Sequence, residues 1–209
     1  MGLIRKNDKT AVKGEQRFRD RSKEDLLNQL GDPQASERRW AARDLGEYAD
    51  TMPVLCDCLE METDTTVRAA ILTSLLKQRS PEIALRLSTL LRSEDAALRS
   101  AVLDVLVDMP EQFVPVVNPL LHDEDPDLRI LVVTVVSRLA HPTVPALLLN
   151  VAERDAHPNV VAAALEGLGE CGTTEMIGRV QAVAARFPGN TYLSFTVSAA
   201  AGLMGHRLC

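Results

Sequence analysis

Asp64-Thr65-Thr66-Val67-Arg68-Ala69-Ala70 governs the reading of the whole chain, because it returns. Asp95-Ala96-Ala97-Leu98-Arg99-Ser100-Ala101 follows 31 residues later, and Asp125-Pro126-Asp127-Leu128-Arg129 another 30 residues on. Arg38, with Asp32 ahead of it, stands 30 residues before Arg68. Each copy sets a carboxylate at a turn and an arginine near the start of an apolar helix. A carboxylate suits that place, because the first N–H groups of a helix lack intrahelical partners and carry partial positive charge. A fixed period of this length marks a solenoid, whose units bury their helices against their neighbours and expose a long ordered surface.

Working outward from these anchors, the chain divides into paired helices. Ser22 caps a helix from Lys23 to Leu30, with Asp25 completing a capping box, and Gly31 with Asp32-Pro33 turns the chain into a second helix from Arg38 to Gly46. Further pairs are predicted over Pro53 to Leu59 and Thr66 to Gln78, Pro81 to Arg92 and Ala96 to Val107, and Val114 to Leu121 and Asp127 to Leu139. Two more run over Val144 to Ala152 and Asn159 to Gly169, and over Thr174 to Phe187 and Tyr192 to Met204. The arginine position becomes Val161 and then Thr196 in the last two units. Three residues after it stand Ala41, Ile71, Val102, Val132, Ala164 and Ala199; seven after it stand Leu45, Leu75, Leu106, Val136, Leu168 and Leu203. These offsets make one apolar stripe. Pro53, Pro115 and Pro145 open first helices, where a missing N–H is tolerated, whereas Pro119 should kink its helix.

The expected fold class is therefore all-α, about six helical hairpins. The three repeated runs resemble the short HEAT-like repeats of about 30 residues, which also occur in phycobilin lyase subunits. The resemblance covers about residues 23–205 and implies an α-α superhelix whose second helices line a concave side. It assigns 23–209 to the repeat domain and leaves 1–22 as a basic, flexible N-terminal arm. It says little about activity, since many functions share the repeat.

Composition agrees with stacked helices. Hydrophobic residues reach 46% but aromatics only 3%, so the core is aliphatic. Net charge is unevenly spread: residues 1–22 carry +4 and the remainder −10. An acidic body repels phosphate backbones and argues against nucleic acid as a partner. The N-terminal stretch has no apolar segment of a secretory signal, and nowhere do about 18 apolar residues run uninterrupted as in a membrane helix. With four scattered cysteines, a cytoplasmic location is expected.

Asp64, Arg68, Asp95, Arg99, Asp125 and Arg129 are read as a structural ladder. The carboxylates cap helix starts, and the guanidinium groups bond those carboxylates or the turn carbonyls of the next unit. An array recurring in every unit is architecture, whereas an active site normally occurs once. Cys56 and Cys58 are two apart on a helix and diverge by about 200°, which disfavours a shared metal. No HExxH, phosphate cradle or His-Glu pair appears, and no catalytic residue, cofactor or metal is assigned.

Partner binding is assigned to the side of the second helices turned from the core. Offsets of one, five and nine from the arginine supply Arg39, Arg43, Thr73, Lys77, Asp104, Asp108, Thr134, Arg138 and Glu166. Trp40, flanked by Arg39 and Arg43, is either a packed aromatic or an anchor for the partner. The row runs from basic in the first unit to acidic in the fifth, a gradient able to orient a bound protein. The expected function is a non-enzymatic scaffold or adaptor for another protein, with bacterial signalling a fitting context. The alternative, implied by the resemblance alone, is a bilin-lyase-like subunit handling a tetrapyrrole or chromophorylated protein. The final helix lacks charge from Tyr192 to Met204, so a homodimer through this helix, or cover by the partner, is also expected.

Overall fold

The structure is a computed structural model and describes residues 21–206. The arm expected over 1–22 lies outside the described residues except for Arg21 and Ser22. Arg21 reaches back onto the first helix, donating to Gln29 Oε1 at 2.6 Å. Among the described residues the chain is helical with no strand, laid out as successive helix pairs. The first pair is α1 (Lys23–Gln29) and α2 (Ala35–Leu45), and the second is α3 (Met52–Met61) and α4 (Thr65–Gln78). The third joins α5 (Pro81–Thr89), extended by a 3₁₀ turn at Leu90–Arg92, to α6 (Ala96–Val107). The fourth joins α7 (Pro110–Phe113) and α8 (Val117–Leu121) to α9 (Pro126–Arg138). The fifth pair is α10 (Val144–Arg154) and α11 (Pro158–Cys171), and the sixth α12 (Ile177–Ala182) and α13 (Thr191–His206).

The predicted stripe is the core in five of the six units. Ala41, Ile71, Val102, Val132 and Ala164 are fully buried, as are Leu45, Leu75, Leu106, Val136 and Leu168. The apolar cluster runs without a break from Leu26 to Met204. In the sixth unit the register differs by one residue. Val197, Ala200 and Met204 are buried, whereas Ala199 and Leu203 face out. The anchor is thus residue 197 rather than 196. Without charge between Tyr192 and Met204 no polar face marks the rotation, so Ala199 and Leu203 fit offsets three and seven in sequence as well as Ala200 and Met204 do.

Helix starts follow the caps. Ser22 and Asp25 form the predicted capping box. Asp64, Asp95 and Asp125 accept from the first-turn N–H groups of α4, α6 and α9. Asp32 does otherwise: it accepts from Gln34 N at 2.7 Å, and α2 begins at Ala35 without a side-chain cap. The first element of unit four begins at Pro110, not Val114, so Pro115 lies inside it. Each proline lacks an N–H and crowds the carbonyl four residues before it. Between Pro115 and Pro119 the chain adopts a 3₁₀ turn at Val114–Val116 and breaks the element into α7 and α8.

Close approach of successive second helices depends on missing side chains. Ser74 Oγ donates to Ala42 O at 2.8 Å, joining α4 to α2, and a Cβ on Gly46 would lie 2.7 Å from that hydroxyl. A Cβ on Gly167 in α11 would meet Ser137 Cβ of α9 at 2.7 Å, and one on Gly169 would meet Leu203 Cδ1 of α13 at 3.1 Å. Helix α6 carries no glycine and packs less extensively on α4 and α9 than α2 does on α4 or α9 on α11. Gly167→Ala should therefore lower the melting temperature although alanine is the better helix former, since overpacking costs about 1–3 kcal/mol. Gly202→Ala on the outer side of α13, where an added Cβ meets nothing within 4 Å, should leave it unchanged or raise it. Equal shifts in the two melts would contradict close packing at Gly167.

Candidate functional site

The turn before each second helix is built alike in five units. Two residues ahead of the helix cap, a side chain accepts from the cap's backbone N–H. Asp32 does so from Gln34 at 2.7 Å, Glu62 from Asp64 at 2.8 Å, Ser93 from Asp95 at 3.2 Å, Asp123 from Asp125 at 3.0 Å and Asp155 from His157 at 2.8 Å. Six residues later the arginine returns to the carbonyl of that same residue. Arg38 reaches Asp32 O at 2.9 Å, Arg68 reaches Glu62 O at 2.6 Å and Arg129 reaches Asp123 O at 2.6 Å; Arg99 bonds Ser93 O. The turn carbonyl is therefore the arginine's own, not that of the next unit.

The second bond goes forward. Arg38 holds Glu62 with two hydrogen bonds, 2.8 and 2.9 Å, and Arg129 holds Asp155 at 2.7 and 3.0 Å. Arg68 reaches Asp95 Oδ2 at 2.6 Å, because Ser93 supplies no carboxylate at the usual place. These side chains are 19%, 13% and 11% exposed, and the Glu62 and Asp155 carboxylates only 8% and 7%. Bidentate pairing in so dry a joint fixes direction as well as energy. The Arg38 guanidinium holds Glu62 below the usual carboxylate range, and Arg68 does the same to Asp95. Asp125 accepts only from its own helix start, at Asp127 N.

On the face of the second helices, Arg39, Arg43, Thr73, Lys77, Asp104, Asp108, Arg138 and Glu166 are exposed, and Thr134 is half-buried. Ala162, at the same offset as Arg39, is buried, so the row narrows at unit five. Several of these groups bind across repeats. Lys77 pairs with Glu47 at 2.9 Å and Arg138 with Asp104 at 3.0 Å, both exposed and so of small energetic weight. Thr73 and Thr134 hydroxyls return to the helix carbonyls of Ala69 and Ile130. Tyr192 donates to Glu166 at 3.1 Å, which raises the phenol's pKa. Trp40 is half-buried, with the Arg39 and Arg43 guanidinium carbons 5.3 and 5.9 Å from its ring centroid. The two arginines and the indole form one cationic, aromatic patch at the first unit. Asp108, Glu166 and Glu170 keep the far half acidic.

Sequence reasoning missed the acids at positions 62, 123 and 155. Their signal is the place six residues before the arginine position, masked by the nearer cap carboxylates. Elsewhere, no group of three or more His, Cys, Asp or Glu side chains among the described residues is arranged to hold a metal ion. Burial pushes the Cys56 thiol up to about 11, far from a reactive thiolate at neutral pH. No helix among the described residues is long and apolar enough to cross a membrane. Helix α13 leaves Tyr192, Phe195 and Leu203 out in solvent, at 55%, 72% and 54% exposure.

Compared with known proteins, the chain matches the family model for HEAT repeats twice, over residues 23–106 and 83–169. No curated protein matches it. Among solved structures it is similar to an engineered protein at 15% identity and a TM-score of 0.38, covering 88% of this chain and 96% of that one. It is also similar to the complex of CpcE and CpcF of phycocyanin lyase from Nostoc sp. PCC7120. There the identity is 14% and the TM-score 0.37, with 98% of this chain and 100% of that one covered. Both are distant likenesses.

The lowered pKa of Glu62 makes the first joint acid-sensitive in a defined direction. Its folded value lies below the unfolded one, so its contribution is fully present above the unfolded carboxylate range, about 4.3, and is lost as pH falls through the lowered value. Glu62→Gln should show a shallower fall in melting temperature between about pH 6 and about pH 3 than the parent. Parallel curves would show that this carboxylate contributes none of the acid sensitivity.

Proposed function

The chain belongs to the HEAT-repeat family, and from that premise we propose that it is a non-enzymatic scaffold or adaptor that binds another protein along its second-helix face. The observation that carries the reading is the row from Arg39 to Glu166, contributed by five consecutive units and almost wholly open to solvent. The ladder repeats in units one, two and four and sits at the joints, as architecture does. The row varies from unit to unit and lies outside, as a recognition surface does. Its ends carry opposite charge, with Arg39 and Arg43 around Trp40 at one end and Asp108, Glu166 and Glu170 toward the other. Complementary charge of this kind steers encounter and fixes orientation, and a tryptophan flanked by arginines has the composition of a binding hot spot. The acidic body favours a protein over a nucleic acid as the occupant.

Where Lys77 is held by Glu47, and Arg138 by Asp104, the middle of the face presents small polar groups and mutually neutralised charge. Discrimination therefore falls to the charges outside these pairs, Arg39 and Arg43 at one end and Asp108, Glu166 and Glu170 beyond. Self-association through the uncharged outer side of α13 is a separate proposal, motivated by exposed Phe195.

Each proposal has its own experiment. The tagged parent and an Arg43→Glu, Asp108→Arg variant are used to capture partners from the native cell, with helicity checked by circular dichroism. Loss of about tenfold in the captured partner with unchanged helicity is expected. Equal capture by parent and variant would remove the face from the account. Light scattering of the parent beside Phe195→Glu gives the oligomeric state, and a parent that is monomeric at high concentration would end the homodimer proposal.

A further inference from the structure

The arginines of units one, two and four each bond a carboxylate of the unit that follows. Arg99 of unit three does not. It donates to Ser93 O in its own turn, and no carboxylate among the described residues lies within ion-pair distance of it. Asp123 occupies the place that Glu62 and Asp155 hold for Arg38 and Arg129, but it is bonded by Arg92 from the end of unit three's first helix. A guanidinium carries five N–H donors in a planar fork that matches a carboxylate, and Arg99 uses one of them on the protein.

Beside Arg99 the joint between units three and four holds a cavity of about 460 Å³. Leu91, Leu128 and Leu131 give it an apolar wall, and exposed Glu94, Asp125 and Asp127 line it as well. Ile130 belongs both to this cavity and to the row of residues one place after the arginine position, where Arg39 stands in unit one. The cavity therefore adjoins the second-helix face.

We propose that this cavity receives one acidic side chain of a bound protein, a glutamate or aspartate with a basic residue beside it, whose carboxylate bonds Arg99. The carboxylate would make from outside the bond that the neighbouring units make within the chain. The leucine wall suits the methylene groups of the incoming residue. Arg92 also lines the cavity but is engaged by Asp123, so Arg99 is the lining cation left to meet the acid, while Glu94, Asp125 and Asp127 attract a lysine or arginine flanking it. This proposal rests on the protein-binding reading and narrows it to one contact of stated chemistry.

The test uses the full chain labelled with nitrogen-15, reading the Nε–H resonances of its arginines, with Arg99→Lys to assign Arg99. Three probes are titrated: a blocked peptide with one glutamate between two lysines, the same peptide with glutamine instead, and inorganic phosphate. The Arg99 resonance should shift saturably with the glutamate peptide, and the glutamine peptide should bind about tenfold more weakly. An Arg99 resonance unmoved at roughly 10 mM glutamate peptide overturns the proposal, as does equal binding by the glutamine peptide. Phosphate binding more tightly than the peptide overturns it too, because the site would then hold an adventitious ion only. The Arg43 resonance separates this claim from the wider one. Shifts at Arg43 without Arg99 overturn the cavity contact and leave the face standing, whereas shifts at Arg99 uphold the contact even where variants of the face capture partners normally.

Discussion

The arginine that bridges one turn to the next is the interaction on which the rest of this molecule depends. A pair of helices about 30 residues long cannot bury its apolar stripe alone and must share it with the following pair. Shared apolar surface is not directional, so it leaves the angle and stagger between pairs open. The arginine supplies the missing direction. One N–H is fixed to the carbonyl of its own turn, and the planar fork is fixed to an acid of the next turn. The acid in turn accepts from the backbone N–H at the next helix cap. Turn, helix start and neighbouring unit are thus joined through one pair of side chains, and the pair is dry enough that losing one partner leaves a charge poorly solvated.

The joints are not equivalent. Glycine and serine bring α2 onto α4 and α9 onto α11; Lys77–Glu47 spans the first of these contacts, whereas Arg138–Asp104 ties α9 back to α6. Helix α6, with Val102, Leu103 and Leu106 and no glycine, keeps its neighbours further off. At that same part of the array the ladder changes: Arg68 takes the cap acid Asp95, and Arg99 has Ser93 alone. At Arg99 the ladder has an arginine without its acid, and the proposed outside carboxylate would displace no ion pair already made there. The proposed contact at Arg99 and the cationic patch around Trp40 are separated along the array, which suits an extended partner more than a compact one.

Much of this was readable from the residues, for a physical reason. Arg38, Arg68, Arg99 and Arg129 lie where a charge must be at a joint, and a charge at a joint is conspicuous against an aliphatic background. The offsets of three and seven then follow from helix geometry, and the core agrees with them through unit five. The rotation of α13 was not readable, since a helix without charge gives Thr196 and Val197 equal claim to the anchor. The shift of the fourth unit's first element to Pro110 was hidden because Pro115 is as good a helix opener in sequence as Pro110. The pairing of Lys77 with Glu47, and of Arg138 with Asp104, depends on the stagger between units, which a single chain of letters does not carry. The same limit conceals the capture of Asp123 by Arg92, and with it the distinct state of Arg99.

The central claim, that the arginine and the following acid couple adjacent repeats, is tested most directly by a double-mutant cycle at the fourth joint. Arg129→Met keeps the aliphatic stem in place, and Asp155→Asn keeps an acceptor for the His157 N–H. Denaturant unfolding of the parent, the two single variants and the double variant gives the coupling free energy. The account predicts a coupling of about 1–3 kcal/mol, the double variant being much less destabilised than the sum of the singles. Strict additivity, with each substitution acting as though the other residue were absent, would contradict it.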